Sequence, residues 1–238
     1  MNFNNVLIID IETVPALSSY NLLTPAWQEL WAYKASKLTS SATLSPASSY
    51  DEQAGIYAEF GKIVCITLAY FITSDAGHLQ LKHRTIYNHN EVLLLNDFIL
   101  VCDSFAKAKK GIQFAGHNIK EFDIPYICRR LIINHIAIPK YLNIQGQKPW
   151  ETNQIDTLHW WRFGDYKNYT SLHLLATALG VATSKQDMDG SQVRDVYYNH
   201  NDLERISNYC ALDVLVVAQV LLRYQNLPLL EEQDCIKV

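Results

Sequence analysis

Three short patterns in this sequence carry residue types that could do chemistry together. The first is Asp10-Ile11-Glu12, which closes the apolar run Val6–Ile9. Residues two apart on a strand share a face about 6.6 Å apart, so two carboxylates placed this way can share a pair of divalent ions. With 24 acids in 238 residues, about two acid-x-acid pairs arise by chance, so the pair takes its meaning from its setting. No Lys or Arg precedes Lys34 to neutralise it locally, and buried like charges without a partner repel and protonate. A solvated strand end is the plain alternative. The second pattern runs from Gly116-His117-Asn118 to Phe122-Asp123-Ile124-Pro125. A strand ends there, the chain turns, and a helix starts near Pro125, since proline suits the first helical turn. Asp123 is then either an N-cap or a metal ligand, and Asn118 either a turn residue or part of the same site. The third is Tyr209-Cys210-Ala211-Leu212-Asp213. Positions four apart on a helix lie on one face. Asp213 sits in an apolar run without Lys or Arg, where it faces a large desolvation cost unless a cation or donor meets it. A core tyrosine with a water-exposed aspartate is the alternative.

Positioning these groups requires a frame, and the hydrophobic pattern supplies one. Val6–Ile9 and Lys62–Ile72 predict buried strands, and Gln80–Tyr87 predicts a neighbouring antiparallel edge strand. Trp27, Leu30, Trp31 and Lys34 have helical spacing, with the tryptophans expected in the core. The stretch 36–50 is poor in order-forming residues and is expected to be a mobile loop. Apolar periodicity predicts helices over Glu91–Phe105, Ile124–Ile133, Leu172–Leu179 and Asp202–Tyr224, and a short strand over Ile112–Ala115. A hairpin followed by alternating strand and helix indicates an α/β fold with a central mixed sheet flanked by helices.

Composition excludes several classes. The chain is 49% hydrophobic, 18% charged and 11% aromatic, the profile of a globular domain rather than a disordered one. A net charge of −4 argues against a broad basic surface that wraps nucleic acid, though not against a small site assisted by cations. No apolar run approaches the roughly 18 residues that span a bilayer, and the N-terminus has no positive region ahead of its apolar run. A cytoplasmic protein without membrane contact is expected. The five cysteines are scattered and never spaced C-x-x-C, so neither zinc ligands nor a disulfide framework is expected, and four of them are expected to be small buried hydrophobes.

Asp-x-Glu, then Asn with Asp five later, then Tyr with Asp four later resembles the DEDDy 3′–5′ exonucleases of the ribonuclease H-like superfold, the DnaQ-like group. The sequence is most similar to the stand-alone predicted exonucleases that resemble the proofreading domain of family B DNA polymerases. The likeness extends over nearly the whole chain, through Phe60-Gly61-Lys62-Ile63-Val64-Cys65-Ile66, Ser171-Leu172 with Leu179-Gly180, and Asp189-Gly190-Ser191-Gln192-Val193. Asn208 stands where a sister branch carries histidine. One departure is Ile119, where relatives often carry a small residue.

This resemblance implies a single exonuclease domain over residues 1–238, with no polymerase domain in the chain. It implies that Asp10, Glu12, Asp123 and Asp213 hold two Mg²⁺ or Mn²⁺ ions and that Tyr209 orients the attacking water, supported by Glu12. It implies that Thr13 touches the terminal nucleotide through its backbone, with Asn118 and Phe122 flanking the same cleft. Asp156 resembles a non-ligand position at a strand end. The implied substrate is nucleic acid with a free 3′ end, single-stranded DNA first and RNA as the near alternative. A catalytically silent nucleic-acid-binding module and an endonuclease on the same fold are the competing classes. Trp160, Trp161, Tyr166 and Tyr169 are either core residues or a stacking platform for unpaired bases. Lys107, Lys109, Lys110, Arg129 and Arg130 are either phosphate contacts or solvated surface. Nothing in the residues names a protein partner.

Overall fold

The computed structural model describes residues 3–38, 44–148, 150–167, 169–183 and 188–238. Strand β1 (Val6–Pro15) leads to helices α1 (Pro25–Ala35) and α2 (Pro46–Gln53), then to the hairpin of β2 (Gly61–Thr73) and β3 (Leu79–Tyr87). Next come α3 (Glu91–Lys109), β4 (Gln113–Gly116), α4 (Asp123–Ile133), β5 (Ile155–Asp156) and α5 (Thr157–Arg162). Helices α6 (Leu172–Ala178), α7 (Val193–Tyr198) and α8 (Leu203–Tyr224) precede the last strand, β6 (Cys235–Lys237). Among the described residues the strands form one mixed sheet in the order β5-β4-β1-β2-β3-β6. β2 is antiparallel to both β1 and β3, while β1–β4, β4–β5 and β3–β6 pair in parallel.

The alternation of β1 decides which face the acidic pair serves. Leu7, Ile9 and Ile11 pack with Leu94 and Phe98 of α3 and with Ile124 and Ile127 of α4. Val6 and Ile8 point the other way, onto Val214, Val217 and Leu221 of α8. Because side chains alternate along a strand, Asp10 and Glu12 continue the face that meets α8. A register shift in the β1–β2 ladder falls between Glu12 and Thr13, so the strand bends just past the second acid.

Several expectations need correction. β3 is not the edge strand, because Leu81, Lys82 and His83 pair with Cys235, Ile236 and Lys237 of β6, a three-residue strand too short to leave a periodic signal. Residues 39–43 of the expected loop lie outside the described residues. The rest of that loop does not stay irregular: Pro46 starts α2, where the Ser45 side chain accepts the Ser48 N–H. Trp31 is fully buried among Tyr50, Tyr57 and Phe60, whereas Trp27 on the same helix stays at the surface. Contrary to the expectation about apolar runs, α8 is long and apolar enough to cross a membrane, with mean hydropathy 1.4 over its best window. That window is 61% buried inside the protein, where its apolar residues cover the sheet.

Candidate active site

The acidic patterns converge although they lie far apart in the chain. Asp123 is not an N-cap: it is the first residue of α4, after Phe122. Its Oδ1 accepts the N–H of Ile11 at 3.2 Å, which ties the start of α4 to the residue between Asp10 and Glu12. α8 closes the site from the other face, with Tyr209 and Cys210 packed beside Val14 and Cys65. The Tyr209 phenol hydrogen-bonds the Asp213 carboxylate one turn on.

Electrostatics confirm the proximity. Burial pushes Asp10 well above the usual carboxylate range, and the charges of Asp123 and Asp213 push it further. Burial likewise raises Glu12, aided by Asp10 and Asp213. Burial raises Asp123 to about 7 despite hydrogen bonds from its own N–H and that of Ile11. Tyr209 is raised by burial, then by Asp213 and Glu12. Asp10 and Glu12 therefore feel the other carboxylates, and Asp123 feels Asp213, in a low-dielectric setting. None of the ion pairs found among the described residues involves Asp10, Glu12 or Asp123. The carboxylates of Asp10, Glu12 and Asp123 supply the oxygen donors that hard divalent cations prefer.

Cys128 and Cys235 are only partly buried, and Cys210, though buried, does more than fill space. Cys210 donates its thiol to Asp10 Oδ2 at 3.4 Å, and ligand atoms of Asp10, Glu12 and Cys210 all lie within 4.8 Å of one another. Its place between Tyr209 and Asp213 was the only signal available in the sequence.

The residues expected to touch substrate divide. Thr13 and Phe122 line a cavity of about 340 Å³ together with Glu12, Gly190, Ser191 and Arg194. The Thr13 side chain is engaged by the Tyr126 phenol, which also donates to the Gly55 carbonyl at 2.8 Å. Asn118 is not among that lining. It takes a left-handed conformation (φ 64°) at the turn after β4, and its N–H donates to Asp156 Oδ1 at 3.0 Å. Ile119 is fully buried in the α3–α4 core, and the turn accommodates it because residue 116 is glycine: a Cβ there would fall 2.1 Å from Ile119 Cγ2.

Asp156 proves to be the organiser of this turn. It is fully buried, and its carboxylate accepts the N–H groups of Asn118, Lys120, Leu158 and His159 at 3.0–3.3 Å. One side chain thus fixes both the turn leading to Asp123 and the first turn of α5. Arg130 fits neither expectation for the basic residues, because it is buried and paired with Glu91.

A mixed six-stranded sheet with helices on both faces defines an α/β protein of ribonuclease H-like fold, similar to the exonuclease domain of a polymerase. The chain belongs to the family described as "Predicted 3′-5′ exonuclease related to the exonuclease domain of PolB", which matches residues 56–233 and so takes in Asp123, Tyr209 and Asp213. The family B DNA polymerase of the hyperthermophilic archaeon Pyrobaculum calidifontis is similar in structure, with TM-score 0.53 and 15% identity. That similarity covers 93% of this chain and 24% of the polymerase chain, about a quarter of its length. No curated protein matches the chain.

Proposed function

We propose that this protein is a metal-dependent 3′–5′ exonuclease that removes nucleotides from the 3′ end of single-stranded DNA. The observation that carries this reading is the convergence of carboxylates from β1 and α4, joined through the Ile11 N–H to Asp123, with the charge of Asp213 on α8 felt at all three. Asp10, Glu12, Asp123 and Asp213 would hold two divalent cations, Mg²⁺ or Mn²⁺. Such ions, when bound, supply an acidified water and stabilise charge on the leaving 3′ oxygen. Tyr209, whose phenol is held above its ordinary range by burial, stays protonated at neutral pH. It therefore orients the water by hydrogen bond and does not act as the base. Thr13 and Phe122 border the cavity beside Glu12, whose volume suits a terminal nucleotide. The family assignment supports the direction of cleavage.

The test follows 5′-labelled single-stranded DNA with MnCl₂. The wild type should shorten it from the 3′ end with mononucleotide release, leave circular single strands intact, and prefer DNA over a matched RNA. Asp213→Ala should be slower by about a thousandfold, the loss expected when several kcal/mol of charge stabilisation disappear. Equal rates for the two proteins would end the metal-site reading. Cut circles would make the enzyme an endonuclease, and faster RNA turnover would overturn the DNA assignment.

A further inference from the structure

The segment that follows α5 presents aromatic rings to solvent instead of burying them. Phe163 is 93% exposed, Tyr166 68% and Tyr169 62%, and Trp160 and Trp161 are also exposed. The expectation of core packing is therefore not met for Trp160, Trp161, Tyr166 and Tyr169. Single apolar residues on a surface need no explanation, but five aromatic rings within ten residues of chain do. Phe163 adds a backbone cost, since it caps α5 in the left-handed conformation (φ 45°, ψ 34°), which a residue with a Cβ seldom adopts.

The location is informative. α5 begins where β5 ends, and Gly116 of β4 pairs with Asp156 of β5. His117 Nε2 lies 2.9 Å from the Thr170 carbonyl, and its ring stands edge-on to Tyr169 with centroids 6.5 Å apart. His117 opens the turn whose Asn118 and Lys120 N–H groups are tied to Asp156 and which leads to Asp123, so the far end of the segment lies against that turn. The Arg162 guanidinium carbon lies 5.7 Å from the Tyr166 ring centre but is itself paired with Glu121 at 3.2 Å, which leaves the exposed Lys167, between Tyr166 and Tyr169 in the chain, as the cation of the segment. Exposed rings beside a carboxylate site match one partner chemistry, a flexible strand carrying flat unpaired bases.

We infer that Phe163, Tyr166 and Tyr169 form a stacking wall for unpaired nucleobases just upstream of the 3′ terminus, with the exposed Lys167 available to the phosphates. This deepens the exonuclease reading and rests on it only for the placement of the terminus. The wall selects single strands, because bases inside a duplex stack on their neighbours and have no free face to offer. Each stacked base should contribute about tenfold in affinity.

The test compares an oligothymidylate decamer carrying 2-aminopurine near its 3′ end with an abasic decamer of equal charge. Binding is measured in EDTA by fluorescence and by competition, and turnover in Mn²⁺. The wild type should bind the base-bearing strand at least about tenfold more tightly than the abasic one. Phe163→Gly/Tyr166→Ala should bind both alike and raise KM about tenfold, with kcat within about twofold. Glycine removes the ring while relieving the left-handed strain, so a weakened turn cannot account for the loss. Phe163→Trp/Tyr166→Phe should restore the discrimination. Failure of the wild type to discriminate, or discrimination that survives in the double variant, overturns the wall. So does a concentration-dependent dimer that only the double variant abolishes, since the rings would then serve a second copy of the chain. Base-dependent binding without mononucleotide release would leave the wall standing and remove the exonuclease reading. Release without base dependence would do the reverse.

Discussion

Glu91 and Asp123 occupy the same place in their helices, each the first residue and each buried, yet the protein treats them oppositely. Both gain from the partial positive charge of a helix N-terminus. Glu91 is then fully met by protein groups. Arg130 Nε donates to its two oxygens at 2.9 and 3.1 Å, Asn134 donates at 2.9 Å, and the Ile63 N–H at 2.8 Å. The same guanidinium reaches the Ala58 carbonyl at 2.7 Å, so the pair clamps α3 and α4 to the start of β2. Among the described residues Asp123 receives backbone N–H groups, from Ile11 and its own residue, and feels the charges of Asp156 and Asp213. Asp156 shows a third solution, a buried carboxylate that accepts four backbone N–H groups. Burial of a carboxylate is therefore not what distinguishes a site. What distinguishes it is which acids are left for something outside the chain to neutralise.

The comparison breaks most clearly in a pair of substitutions. Asp123→Asn should cut mononucleotide release by about a thousandfold while leaving stability in EDTA unchanged or higher, because one of several repelling acids is gone. Arg130→Ala should do the opposite. Removing one partner strands a buried Glu91 charge and should cost roughly 3–5 kcal/mol in urea unfolding, with kcat of the folded fraction unchanged. A loss of stability for Asp123→Asn as large as that for Arg130→Ala would show the two regions to be alike.

A smaller effect is expected with pH. A carboxyl whose folded-state pKa lies above its unfolded value binds its proton more tightly in the folded protein. The stability from that proton is present in acid and lost as pH rises from about 4 for the unfolded chain to about 7 for folded Asp123. In EDTA the melting temperature should fall across that window by about 5–10 °C from the site alone. Mn²⁺ should restore it, and more at pH 8 than at pH 5. A melting temperature that Mn²⁺ leaves unmoved at pH 8 would count against cation binding at the cluster.

The smallest effect sharpens the picture inside the cluster. The Cys210 thiol lowers the proton affinity of Asp10 by donating to it. Cys210→Ala should move the acid limb of the pH–rate profile upward and slow release near neutrality by about threefold, whereas Cys210→Ser, which keeps a donor, should not. An unshifted acid limb in the alanine variant would remove the thiol from any tuning role.

Much of the frame follows from local pattern. The strands over 6–9, 62–72 and 80–87 and the long helices repeat their apolar residues with periods of two and 3.6, and such periods are visible wherever they occur. The acids and Tyr209 were legible for a related reason: charged groups set in apolar runs stand out against their neighbours. Local pattern does not encode which groups meet. Whether Asp123 caps its own helix or reaches the Ile11 N–H, 112 positions away, depends on how α4 docks against β1. Arg130 looks like any surface arginine until α3 brings Glu91 to it, and the exposure of Phe163 appears only once α5 is seated beside β4. Composition and spacing set what each segment is made of. Packing alone decides which desolvated groups share a cavity and which remain in water, because that depends on distances between segments that the chain order leaves free.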